Sequence, residues 1–67
     1  MEVLVFKTSV ARRKHVERLR PGLSRLGLWT FDLDDCDRIL RVEALAGAAR
    51  EVIALLARYG FRCEELP

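Results

Sequence analysis

The chain has 67 residues, enough for one small domain in which every segment must contribute to a single core. Hydrophobic residues make up 51% and charged residues 33%, a balance that excludes a disordered chain, and no stretch of about 18 apolar residues is present to span a bilayer. The formal net charge is only +2, but the charges are segregated. Seven Lys or Arg lie between Lys7 and Arg25 against the single acid Glu17, whereas Asp32, Asp34, Asp35 and Asp37 follow with no base among them. The N-terminal apolar run, Val3 to Phe6, is too short for a secretory signal, so the cytoplasm is the expected compartment. Cys36 and Cys63 are 27 positions apart, a spacing that matches neither a zinc nor a thioredoxin motif, and free thiols are expected in that compartment.

In chain order, Glu2 to Phe6 is a short β-branched, apolar run that reads as a central strand, followed by the polar break Lys7-Thr8-Ser9. From about Arg12 the apolar positions Val16, Leu19, Leu23 and Leu26 recur three, four and three apart, which is one face of an α-helix. Gly27 stops this helix, and Pro21 is expected to kink or split it, because proline lacks the N–H and its ring crowds the preceding turn. Trp29 to Asp34 alternates with period two, placing Trp29, Phe31 and Leu33 on one side. Residues 34 to 37 read as a turn, and Arg38 to Glu43 resumes a strand with Leu40 and Val42 facing inward, so that the two strands form a hairpin. Residues 47 to 59 form a second helix with Ala48, Val52, Leu55, Leu56 and Tyr59 on one face, ended by Gly60 in the left-handed conformation. Phe61 to Leu66 alternates again and reads as a short edge strand ended by Pro67.

Strand, helix, hairpin, helix, strand is the split-βαβ plan. It predicts an α+β fold, a ferredoxin-like βαββαβ sandwich with a four-stranded antiparallel sheet, two helices on one face, and residues 1–67 as one domain. In this plan the loop near Ser9 to Lys14, the turn near Asp35 and the turn at Gly60 meet at one end of the sheet. A functional site is expected there.

Phe6-Lys7-Thr8-Ser9, Val16, Pro21, Leu23, Trp29, Asp32, Asp37, Ile39-Leu40, Val42-Glu43, Val52-Ile53 and Gly60-Phe61 stand in an order and spacing that resembles a bacterial branch of the heavy-metal-associated (HMA) domains, over about residues 3–66. The resemblance implies the same fold. For the family it also implies copper-chaperone-like binding of a soft ion, typically Cu(I), by a Cys-x-x-Cys loop at the start of the first helix. Two soft thiolates so spaced can close on one ion. In this sequence the two positions fall on Arg12 and His15. A guanidinium has no lone pair to give, and one imidazole is a poor site by itself. The resemblance thus implies a degenerate HMA-like domain with no cofactor. The alternative is copper or zinc held at a non-standard site around His15, with Cys36 as a further donor. Cys63 is read as a small buried hydrophobe on the last strand.

Arg12, Arg13 and Lys14 stand where the first helix begins, at the positive end of its dipole, where each exposed cation costs about 0.3–1 kcal/mol. A cluster placed against its local electrostatics suits an anion, or an acidic protein that docks where a metal-loaded loop would otherwise present positive charge. The expected function is therefore a non-enzymatic protein-interaction or regulatory module acting through this basic loop. Nucleic acid is not the expected partner, because no aromatic residues interleave with the cations to stack bases. The acidic turn can also meet the basic loop of another copy, giving weak, salt-sensitive self-association. One His, two Ser, no glycine-rich phosphate loop and no nucleophile–base pair leave nothing to support catalysis.

Overall fold

The computed structural model describes residues 2–34, 38–45 and 47–67. Its elements are β1 (Glu2–Thr8), α1 (Arg13–Leu26), β2 (Gly27–Asp32), β3 (Ile39–Ala44), α2 (Ala48–Arg58) and β4 (Cys63–Glu65). The strands form one antiparallel sheet in the order β2-β3-β1-β4, and the helices pack against it and against each other, the ferredoxin-like arrangement. No helix of the described residues is long and apolar enough to cross a membrane.

Register follows from the alternation of side chains. Leu4 lies opposite Val42 and Phe6 opposite Leu40, and the same two β3 residues face Trp29 and Phe31 of β2. The inner face is therefore a contiguous apolar row that a one-residue slip would turn to solvent. Phe6, Leu40, Val42, Leu19, Leu23, Val52 and Leu56 are fully buried and join sheet to helices in one core. The spacing of Leu19 and Leu23 along α1, and of Val52 and Leu56 along α2, sets each helix's buried stripe.

Three local features differ from expectation. First, β1 runs on through Lys7 and Thr8, so the polar break begins only at Ser9. Thr8 is buried, and its hydroxyl donates to the Arg38 carbonyl at 2.7 Å while accepting the Val10 N–H at 3.2 Å. A buried hydroxyl that makes both bonds carries no desolvation debt. Val10, in the loop that follows, is fully buried.

Second, α1 is one continuous helix with Pro21 inside it. Pro21 is exposed, so water can bond to the carbonyl that the missing N–H would have served. The adjacent Gly22 is where the two helices meet: a Cβ there would stand 2.7 and 2.8 Å from the Leu55 methyls of α2. Third, α1 passes into β2 without a loop. Gly27 donates its N–H to the Leu23 carbonyl and lies so close to β3 that a Cβ would fall onto the Glu43 carbonyl oxygen. Gly27 is required both by this close approach and by its backbone angles, φ +158° and ψ −162°, which side-chain-bearing residues rarely adopt.

α2 ends at Arg58, and Tyr59, expected on its buried face, is the exposed C-cap residue because the chain turns there; the left-handed Gly60 that follows is as expected. Gly60 adopts φ +86° and donates to Ala57 at 3.0 Å, and Phe61 donates back to Leu56 at 2.9 Å, which is a Schellman termination. β4 is shorter than its alternating sequence suggests, and the Leu66 N–H donates to Val5 at 2.8 Å just beyond it.

Because Leu19 is fully buried between the sheet and α2, Leu19→Ala is expected to cost about 2–5 kcal/mol, most of what a domain of this size has available. Urea denaturation followed by circular dichroism measures this. A variant with an unchanged midpoint would mean that α1 faces the core with another stripe.

Candidate functional site

The end of the sheet at which β1 finishes is tied together by backbone and hydroxyl bonds. Thr8 reaches Arg38 at the start of β3 through both its hydroxyl and its N–H, the latter at 3.3 Å. Ser9 exchanges two bonds with Arg62 ahead of β4: its N–H donates to the Arg62 carbonyl at 3.2 Å, and its hydroxyl accepts the Arg62 N–H at 2.8 Å. The loop before α1, the β2–β3 connection and the approach to β4 are thus brought to one end, as the topology requires. The turn residues Asp35, Cys36 and Asp37 lie outside the described residues, and with them the candidate donor Cys36.

Arg12, Arg13 and Lys14 are all exposed at this end. Arg12 is the N-cap residue of α1, extended at φ −126° and ψ 145°, and its carbonyl accepts the His15 and Val16 N–H groups at 3.0 and 3.3 Å. No side chain caps the helix, and no acid occupies its first turn. The first N–H groups of α1 and three cations therefore face solvent together, with neither a hydroxyl nor a carboxylate in place to satisfy the helix end.

His15 is turned away from that surface. It is half-buried, with its ring centroid 5.0 Å from that of Phe61 at a tilt of 53°. The Schellman turn fixes where Phe61 lies, so the end of α2 determines the environment of a residue in the first turn of α1. The Nδ1 of His15 is hidden from water and has no hydrogen-bond partner among the described residues. Loss of hydration, followed by the charges of Lys14, Arg18 and Arg12, holds its pKa below the ordinary 6.5.

Cys63 is half-buried on β4 opposite Thr8, and burial pushes its thiol up to about 12, so at neutral pH it is a protonated packing group rather than a thiolate. Among the described residues, no three His, Cys, Asp or Glu side chains gather where they could hold a metal ion. Of the candidates read from sequence, Arg12, Arg13 and Lys14 are exposed at the start of α1, Arg13 on the side of the helix that faces β2, and His15 packs against an aromatic ring. The Thr8 and Ser9 bonds that organise this end gave no sequence signal beyond the presence of two small hydroxyl residues after an apolar run.

Comparison with family models, with curated proteins and with solved structures found no match. The fold and the arrangement of this end define a small α+β domain of ferredoxin-like topology with a cationic loop at one end of its sheet.

The lowered His15 pKa has a definite sign. Protonation favours the unfolded chain, so the stability that neutral His15 contributes is complete above pH 6.5 and is lost as pH falls through 6.5 toward the lower folded value. Denaturation midpoints are expected to drop between about pH 7.5 and about pH 5.5 in the wild type, and to drop less in His15→Leu, which cannot titrate. Parallel pH profiles for the two proteins would contradict this.

Proposed function

We propose that the domain is a non-enzymatic interaction module: a degenerate HMA-like scaffold that docks an acidic protein surface or a bound anion through Arg12, Arg13 and Lys14. The observation that carries this reading is the uncapped start of α1, where three exposed cations stand at the positive end of the helix with no acid in the first turn. Charge-assisted bonds from guanidinium and backbone donors suit carboxylates and phosphates. In an HMA-like loop Arg12 stands at one of the two thiolate positions and supplies the positive charge that a bound ion would have supplied. A partner shaped for that charge finds a fixed one here.

The alternative, copper or zinc handling at His15, is less well supported, since the imidazole packs on Phe61 and its Nδ1 is closed to water. The two readings separate in one pair of titrations. A Glu-rich peptide is expected to bind more weakly as salt rises. It should lose roughly tenfold in affinity when Arg12, Arg13 and Lys14 are all changed to Ala, at about 0.2–1 kcal/mol for each exposed pair. Reduced protein titrated with Cu(I) against a competing chelator is expected to hold the ion no better than a histidine-bearing control peptide. Tight one-to-one Cu(I) binding that disappears in His15→Ala would replace the docking reading with the metal one.

A further inference from the structure

The sheet has two edges, and they are built differently. At one edge β4 is three residues long, carries Glu64 and Glu65 and is followed by Pro67. Short length, charge and proline are the usual ways a protein blunts a strand edge. β2, at the other edge, is six residues long and pairs with β3 residue for residue without a bulge from Gly27–Ala44 to Asp32–Ile39. It contains no proline and no lysine, and Leu28 is 72% exposed on it. Among the described residues no strand pairs with its outer row of backbone N–H and C=O groups.

Beside this edge runs a groove of about 1070 Å³ between β2 and α1, whose helix wall includes Arg13, Glu17, Arg20 and Ser24. Arg20 grips Glu17 at 2.7 and 3.1 Å and lies over the Trp29 ring at 5.4 Å, while the Trp29 indole N–H donates to the Ser24 hydroxyl at 3.1 Å. The order along this wall is self-complementary. When α1 is set antiparallel to a copy of itself, Glu17 meets the copy's Arg20 and Arg20 meets the copy's Glu17.

We propose that β2 pairs antiparallel with β2 of a second copy of this chain, closing a two-fold dimer with a continuous eight-stranded sheet. The surface shares Arg13 with the basic loop, but the strand pairing and the Glu17–Arg20 order on which this inference rests do not depend on the docking reading. Two-fold symmetry demands a patch that is its own complement. The open β2 edge supplies strand pairing, and the Glu17–Arg20 order supplies matched charge on the helix side. Side chains facing each other across antiparallel strands lie on the same side of the sheet, so Trp29 meets either Trp29 or Phe31 of the second copy. Ser24 and Arg20 already hold Trp29, which limits the ordering the contact requires.

Sedimentation equilibrium of the full chain over a range of concentrations tests the proposal, with circular dichroism confirming that each variant is folded. The wild type is expected to form dimers. Glu17→Arg and Arg20→Glu each put like charges across the two-fold axis and are expected to weaken dimerisation roughly tenfold or more. Mixed in equal amounts, the two single variants are expected to associate again as a heterodimer. Glu17→Arg carries cations at both positions and Arg20→Glu carries anions at both, so every facing pair in the mixed dimer is again of opposite sign. A wild type that stays monomeric up to about 1 mM, a weak-affinity limit, would overturn the proposal and leave the edge to some other strand. So would single variants that dimerise like the wild type, or a mixture that fails to associate.

Discussion

The hydroxyl of Thr8 is the small constraint on which the working end of this domain depends. It closes the last rung of β1 by donating to the Arg38 carbonyl, and by accepting from Val10 it turns the chain at once, so that a fully buried valine plugs the core before α1 starts. Arg38 is held at φ 51°, a left-handed conformation that costs a non-glycine residue about 1–2 kcal/mol. The two bonds that Thr8 makes to its carbonyl help to hold that conformation in place. One buried hydroxyl therefore sets the spacing between the loop that carries Arg12, Arg13 and Lys14 and the β2–β3 connection.

A second dependence runs between the helices. The Schellman turn at Gly60 delivers Phe61 onto His15, and the Gly22–Leu55 contact brings α1 and α2 together along their length. The first turn of α1 is thus supported from below by the C-terminal end of α2, while its exposed face is left without a cap. The packed side is fully determined by apolar contact. The solvent side opposes its own helix dipole. Such a division, stable beneath and electrostatically unfavourable above, is how a small domain can present charge without giving up its core.

Much of the fold was legible in the sequence. The period-two run at Trp29 to Leu33 and the 3.6-residue periods at Val16 to Leu26 and Ala48 to Leu56 identify element type, and their order selects the topology. Thr8 and Val10 continue the period-two burial of Leu4 and Phe6, but they were not legible, because a hydroxyl within a polar run and a valine beyond the strand do not look like core residues. Pro21 predicts a kink or a split, and no split occurs, since on the exposed side of a helix water can serve the carbonyl freed by the missing N–H. Gly27 reads in sequence only as a helix stop, though it is set by a neighbour distant in sequence, Glu43, as Gly22 is by Leu55. At the candidate site, the place of Arg12, Arg13 and Lys14 at the helix start follows from the apolar period that begins at Val16, since no capping residue marks it. The inward turn of His15 does not, because it depends on a ring placed by a turn 45 positions further along.

The two-layer build leaves the sheet's far side without a helix, and Val3 and Leu28 stand there 63% and 72% exposed. Their side chains add almost nothing to the core, while the residues beside them on β1 and β2, Leu4 and Trp29, point into it. Along those two strands, the demands of folding fall mainly on every other residue. The residues between are free to drift or to answer demands that arise outside the chain.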